Sequence, residues 1–396
     1  MKWPGIDILL FWIVVALVIY AQLGYALVMR LWASFWPPRR RPDPVPDHQL
    51  PLVSLIIPAH NEEQVLRAKI ENSLAIDYPK DRLEIVVASD GSTDQTTAIA
   101  REFQAKGVTL LDFQENRGKA TVLNEAVHSS RGEVLCLCDA NVMFHPNVLQ
   151  LMVSWLQDPQ VGAVTGDVQL QSSDSEFGSG ESLYYRLERQ LQVDETTTGS
   201  TIIVDGGMFV IRRSLFQQIP PDTVLDDYLS SMNVVRAGYQ IIYDPAVVAL
   251  ENGTPKSSAE YRRRVRVAAG GAQSIKRGQF PHLTQGAAMF RWASHKLARW
   301  LGPLALVVLA VTSLRLWDHG FIFQAAVICQ GLVYGLALLG TLVPAFLNFR
   351  PVNVAFYFVL SHIAMGVGLI KGTFFGLSGR WKRTERVAIR DSTVSK

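Results

Sequence analysis

Three polar residues of this chain stand at one kind of place. Asn61 follows the apolar run Leu52–Ile57, Asp90 follows Leu83–Ala88, and Asp139 follows the unbroken run Val134-Leu135-Cys136-Leu137-Cys138. A short run that is apolar at every position suits a strand buried on both faces of a parallel sheet. Residues just past such strands line one edge of the sheet, where open α/β sheets bind their ligands. Two carboxylates in that crevice suit a metal-bound diphosphate and a sugar or base hydroxyl. Taken singly, each Asp is equally well a turn or cap residue. Their common placement is what favours binding.

Later stretches add candidates. Val204-Asp205-Gly206-Gly207-Met208-Phe209 sets two glycines where the backbone can approach a substrate, or else marks a β-bulge. Val224-Leu225-Asp226-Asp227-Tyr228-Leu229 opens a helix that runs to Ala237 with Gly238 as its C-cap, and Asp226 reads as its N-cap. In Tyr261-Arg262-Arg263-Arg264-Val265-Arg266-Val267, a helix would put Arg263 and Arg266 on one face, suited to phosphate oxygens or to lipid headgroups.

The elements that must position these residues alternate along the chain. Beyond the strands already named, Val108–Leu111 and Val161–Val168 read as strands. Helices are predicted over Glu63–Ser73, from the capping-box spacing Ser92-Thr93-Asp94-Gln95 to Lys106, over Lys119–His128, and over Asn147–Gln157. This alternation predicts an α/β domain with a mostly parallel sheet. No GxGxxG follows the first strand and no P-loop is present, so neither dinucleotide nor P-loop chemistry is indicated.

Composition places the domain between membrane segments. Of 396 residues, 48% are hydrophobic and only 18% charged, and the apolar ones gather at the two ends. Ile8–Met29 holds 22 uncharged positions, enough to cross ~30 Å of hydrocarbon and longer than the ~7–15-residue core of a signal peptide. Arg30 and Arg39–Arg41 follow it, which predicts an external N-terminus and a cytoplasmic domain. Six prolines between Pro37 and Pro51 make a stiff linker. The net charge of +3 is too small to indicate nucleic acid. The basic clusters Arg39–Arg41, Arg262–Arg266 and Arg380–Arg386 read instead as touching anionic lipid or marking the cytoplasmic side. Cys136, Cys138 and Cys329 form no CxxC, so neither a zinc site nor a disulfide framework is expected, and the middle of the chain suits a reducing compartment.

Leu55-Ile56-Ile57-Pro58-Ala59-His60-Asn61-Glu62-Glu63, Ser89-Asp90-Gly91-Ser92-Thr93-Asp94, Asn116-Arg117-Gly118-Lys119 with Asn124, and Asp139-Ala140-Asn141 together resemble family 2 glycosyltransferases of the GT-A fold. The resemblance runs from about Leu52 to Arg266. It implies a Rossmann-like, mostly parallel sheet, a nucleotide-sugar donor (usually a UDP-sugar), Mg²⁺ or Mn²⁺, and inversion at the anomeric carbon. By the same resemblance, Pro58, Asn61, Glu62, Asp90 and Lys119 contact the donor, and Asp139 with Asn141 holds the metal. Gly206, Gly207 and Asp226 border the acceptor, and Asp227 is the general base. Arg263 and Arg266 match the polar and basic positions of the family's Gln-x-x-Arg-Trp motif, read here as Arg-x-x-Arg-Val, and such guanidinium groups would steady the leaving diphosphate. Two departures matter: Asn141 stands where the family has a second Asp, and Val267 where it has a Trp that stacks on the acceptor.

The expected organisation is an N-terminal transmembrane helix (1–36), a proline-rich linker (37–51), the GT-A domain (52–280), an interfacial amphipathic helix (281–300), two or three C-terminal spans (301–378) and a basic tail (379–396). Leu301–Leu314 is the incomplete member of the C-terminal stretches, and His295 is expected to be structural or headgroup-contacting. Within an integral protein of a bacterial plasma membrane, two acceptors compete: a growing β-linked polysaccharide, or a membrane lipid receiving a single sugar. A nucleotide-sugar-binding protein without catalysis is the third class. An accessory subunit or a second copy of the chain is a further partner left open.

Overall fold

The computed structural model describes residues 4–170, 178–251 and 257–377. The basic tail with Arg380–Arg386 lies outside them. The described chain divides into a sheet unit (38–170 and 195–251) and a helical unit (4–37, 178–194 and 257–376).

The sheet unit is built on eight strands: β1 (Val53–Ala59), β2 (Leu83–Asp90), β3 (Val108–Phe113), β4 (Val134–Cys138), β5 (Val142–Phe144), β6 (Val161–Leu170), β7 (Met208–Arg212) and β8 (Gln240–Glu251). Their order is β3-β2-β1-β4-β7-β6-β8-β5. β3, β2, β1 and β4 run parallel, as the apolar runs predict, and β6 pairs in parallel with β8. β7 enters antiparallel between β4 and β6, and β5 pairs antiparallel with β8. Every residue of β1 and β4 is buried, which is why their apolar runs do not alternate. Leu66 and Ile70 of α3 (Leu66–Leu74) and Leu149, Met152 and Val153 of α6 (Val148–Trp155) share one core with Leu55, Ile57, Cys136 and Cys138.

Three further helices frame the sheet edge: α4 (Thr96–Glu102), α5 (Lys119–Ser129) and α8 (Asp226–Arg236). α4 starts three residues later than the capping-box spacing suggests, with Gln95 and not Ser92 as its cap. Asp94 Oδ1, rather than Ser92, accepts the Thr96 amide at 3.0 Å, while Ser92 Oγ accepts from Ser89 Oγ at 3.0 Å and from the Asn61 amide at 3.2 Å. The Arg39–Arg41 cluster is also placed otherwise than expected. Arg39 donates to Asp158, to the Gly199 carbonyl and to Gln240 at 2.7–2.8 Å. Arg41 pairs with Asp244 at 2.7 Å. In an extended segment residues two apart share a side, so these two arginines anchor the linker and only Arg40 is exposed.

In the helical unit, α1 (Pro4–Ile19), a π-turn (Tyr20–Gly24) and α2 (Tyr25–Ala33) form one rod. Then come α7 (Gly178–Thr197, to Asp194 in this unit), α9 (Ser257–Lys276), α10 (Gly286–Trp292), a second π-turn (Ala293–Leu297), α11 (Ala298–Trp300), α12 (Gly302–Arg315), α13 (Phe321–Leu342) and α14 (Arg350–Phe374). Three helices are long and apolar enough to cross a membrane: Gly5–Ala33, Phe321–Leu342 and Arg350–Phe374. The short stretch Leu301–Leu314 is α12, which joins Gly286–Trp300 at a bend of 57°. His295 is fully buried and bonds Glu188 at 2.6 Å. Burial would raise the Glu188 carboxyl, but Arg299 and His295 hold it well below the usual range.

Candidate active site

The loops after β1 and β2 are fastened to each other. His60 Nδ1 donates to the Asp90 carbonyl at 2.6 Å, and that bond leaves Nε2 to accept from Asn116 Nδ2 at 3.1 Å. Asn61 is the one non-glycine among the described residues with positive φ, 55°, a conformation Asn tolerates better than most. From there its Oδ1 accepts the Thr93 amide at 2.8 Å. The Glu62 amide donates to Thr96 Oγ1 at 2.7 Å. Pro58 lies within β1 beside Ala88.

Asp90 is fully buried, and its two oxygens accept the Arg117 and Gly118 amides at 2.7 and 2.9 Å. Gly91 has φ 59°, and a Cβ there would stand 2.4 Å from the Asn116 nitrogen. Asp90 and Gly91 thus pin the loop 116–118 to β2. That loop delivers Lys119 as the first residue of α5.

Lys119 Nζ pairs with Asp139 at 2.9 Å and Asp226 at 3.2 Å. Burial alone would lower its ammonium. The Asp139 and Asp226 carboxylates, with Asp227 beyond, overcome this and hold it protonated above the usual lysine range. Asp226 is the first helical residue of α8 and not its cap, which is Leu225. Asp227 follows, its Oδ1 accepting the Tyr228 amide at 2.8 Å. Both acids sit where a helix amino terminus favours negative charge.

The turn before β7 completes the cluster. The Asp139 amide donates to the Gly207 carbonyl at 3.2 Å, and Asp205 Oδ1 accepts the Gly207 amide at 2.8 Å. A Cβ on Gly206 would stand 2.9 Å from Asp227 Oδ2, so this glycine makes room for the Asp227 carboxylate. Asp205 and Glu251 join the site without having been singled out in the sequence. Desolvation pushes the Asp205 carboxyl up to about 7, against the Gly207 amide and together with the like charges of Glu251, Asp227 and Asp139. Asp205 lay in a stretch marked for its glycines, whereas Glu251 carried no local signal.

Arg263 and Arg266 belong to α9 of the helical unit. Arg263 gives Nε and Nη2 to Glu260 at 2.7 and 2.9 Å, while Arg266 is exposed. Val267, in the position of the family's Trp, is 36% exposed.

Asp139 and Asn141 fit a hard divalent cation. Asn141 Nδ2 donates to Glu251 at 2.9 Å, and its Oδ1 is buried with no hydrogen-bond partner. A carboxylate and an amide carbonyl are suitable oxygen ligands for Mg²⁺ or Mn²⁺, which commonly take the rest from water and phosphate. Among the described residues no three His, Cys, Asp or Glu are grouped to hold a metal by themselves.

A mixed sheet in this order, with Asp90 ending β2 and Asp139 just past β4, is a GT-A-like fold. Comparison with known proteins agrees. The family described as Glycosyl transferase family 2 matches residues 54–220 of this chain. The chain is 30% identical over 235 residues to the probable glycosyltransferase YdaM of Bacillus subtilis, covering 56% of each chain. It is 26% identical over 280 residues to the poly-beta-1,6-N-acetyl-D-glucosamine synthase of Staphylococcus aureus, covering 68% of this chain and 64% of that one. Both matches thus span less than two thirds of the relative. Among solved structures, the mannosyltransferase PcManGT from Pyrobaculum calidifontis, in complex with GDP-Man and Mn²⁺, superposes with a TM-score of 0.69. The two are 25% identical, with 92% of this chain and 99% of that one covered.

Proposed function

We propose that this protein transfers a sugar, with inversion, from a nucleoside-diphosphate sugar to a growing β-linked polysaccharide at a membrane. The observation that carries the reading is the cluster Lys119–Asp139–Asp226 beside Asp227, assembled from the starts of α5 and α8 and the turn after β4. An acceptor hydroxyl is a poor nucleophile until a base takes its proton. Asp227 takes it as the hydroxyl oxygen bonds to the anomeric carbon, and the bond from that carbon to the diphosphate breaks on the opposite face. Lys119 remains cationic and meets the negative charge of the leaving nucleoside diphosphate. Asp139 and Asn141 would hold the divalent cation, which neutralises the diphosphate when bound. Asp90 and Asn61 act through the loops they hold. UDP is the nucleotide implied by the family resemblance and GDP the one in the Pyrobaculum calidifontis structure, so both belong in the assay.

The basic residues after the rod 5–33 support a cytoplasmic sheet unit. Asp7 near the start of α1 pairs with Arg315 at the end of α12 at 3.1 Å, so those two ends share a membrane face and Gly286–Arg315 crosses as a bent pair. α14 runs beside α9, from Arg264 near Tyr357 to Lys276 near Thr373. Since α9 carries Glu260, five basic residues and no apolar span, α14 is read as lying along the surface with it. Three crossings then return the chain to the cytoplasm, in keeping with the basic tail.

A single transfer to a lipid acceptor is the second reading. It is favoured by Val267 in place of the stacking Trp. Membranes containing the protein, given labelled UDP- and GDP-sugars with Mn²⁺ or Mg²⁺, separate the readings. Long insoluble product supports the polymer, organic-extractable product supports the lipid, and no turnover with any donor leaves only a binding protein. Asp227→Asn should abolish transfer while donor binding survives; wild-type turnover in that variant would remove Asp227 as the base.

A further inference from the structure

The turn Asp139-Ala140-Asn141 carries one negative charge where an acidic pair would carry two. Asn141 is nevertheless firmly built in. It is 3% exposed, and the following residue, Val142, pairs with Glu251 in the antiparallel register of β5 and β8. Asn141 Nδ2 donates to Glu251 Oε1 at 2.9 Å. An ionised carboxylate can only accept, so this bond decides which end of the amide faces Glu251. Oδ1 is turned to the other side, buried and without a hydrogen-bond partner. A buried carbonyl in that state calls for an electropositive partner.

Resting on the reading that Asp139 and Asn141 hold a divalent cation, we infer that Glu251 is the positioning residue for Asn141. Glu251 holds the amide so that Oδ1 faces the cation, and it supplies, one hydrogen bond further out, the negative charge that the amide lacks. Residues that orient a metal's ligands in this way act as strongly on affinity as some ligands do. An Asp at 141 would set two carboxylates against each other where the amide and Glu251 now bond. The acidic pair typical of the family and Glu251 are therefore alternatives in this chain.

The test is a Mn²⁺ titration of the full chain in detergent, alone and with UDP or GDP, counting the free aqua ion by electron paramagnetic resonance. Glu251→Gln keeps an acceptor for Asn141 Nδ2 but removes the charge, and is expected to weaken Mn²⁺ binding by about ten-fold. Asn141→Asp is expected to weaken binding as well, although it creates the acidic pair. Combining Asn141→Asp with Glu251→Gln should restore affinity to within about two-fold of wild type, because the charge moves inward and the Gln amide donates to it. A variant that had merely lost its fold would not be rescued by a second substitution. Tighter binding by Asn141→Asp alone, or unchanged binding by Glu251→Gln in a wild type that binds Mn²⁺, overturns the inference and leaves the metal reading standing. A wild type that takes up no Mn²⁺ under any of these conditions overturns both.

Discussion

Replacing Gly206 with Ala separates the catalytic assignment of Asp227 from a purely structural one. The new Cβ would lie 2.9 Å from Asp227 Oδ2 and 3.2 Å from Cγ. Ordinary contact is near 3.5 Å, so the carboxylate must retreat by about 0.6 Å. The backbone of Gly206 has no positive φ, and Ala is permitted there. What moves is the end of a short side chain, at an off-rotamer cost of about 1 kcal/mol at most. For the reaction the same movement is expensive, since a 1 Å misplacement of a reacting group costs about a hundred-fold. Scaled to the smaller shift, kcat is expected to fall by roughly ten- to thirty-fold while the donor KM stays within about two-fold. Steady-state transfer with a labelled donor measures both constants, and a thermal melt checks the fold. Gly207→Ala is the control, because its Cβ would meet Asp205 Oδ1 at 3.1 Å and Val142 Cγ2 at 3.2 Å, away from Asp227. A Gly206→Ala enzyme with the wild-type kcat would refute the placement of the base.

Lys119→Met removes the cation between Asp139 and Asp226 and is expected to raise the donor KM at least about ten-fold, with Lys119→Arg retaining most of the binding; isothermal titration with the nucleoside diphosphate reads it directly. The Asp205 carboxyl, raised to about 7, binds protons more tightly in the folded than in the unfolded chain. Its contribution to stability is therefore full below the unfolded pKa near ~4 and is lost as pH rises through about 7. Metal-free Asp205→Asn should accordingly melt above wild type at pH 8, with the gap closing as pH falls toward 4. Gly372→Ala puts a Cβ 2.2 Å from the Ala269 carbonyl oxygen. Because backbone must yield there, a loss of about 1–3 kcal/mol is expected in a detergent melt. An unchanged melting point would show that α9 and α14 are not held at this distance.

Much of this arrangement was legible because it is local. The apolar runs before Asn61, Asp90 and Asp139 predicted β1, β2 and β4, and a residue that follows a parallel strand is placed by the strand itself. The helix after Val224 and its end at Gly238, φ 86°, were likewise written in neighbouring residues. The start of α4 was misplaced because Ser92 and Asp94 both offer a capping oxygen, and only the fold shows that Asn61 and Ser89 occupy Ser92. Arg39 and Arg41 read as touching lipid or marking the cytoplasmic side because their partners Asp158 and Asp244 are 119 and 203 residues away.

The acid balance of the cleft depends on the part of the fold that was least legible. β5, β7 and β8 are antiparallel or distant additions, and their register follows from pairing across the sheet and not from any local pattern. β7 beside β4 carries Gly207 to Asp139 and so brings Asp205 and Gly206 to the sheet edge. β8 against β5 carries Glu251 to Asn141. From the sequence, Asn141 looks like a lost charge and Gly206 like a place for backbone to meet substrate. In the fold, Glu251 stands behind Asn141 and Asp227 stands over Gly206. Asp205 lies in the fields of Glu251, Asp227 and Asp139, while the Lys119 ammonium answers Asp139, Asp226 and Asp227. Uncompensated like charges at this spacing repel strongly in a partly dry site. On the proposed reading, a divalent cation held by Asp139 and Asn141 would lessen that repulsion and so favour binding of the donor together with its metal.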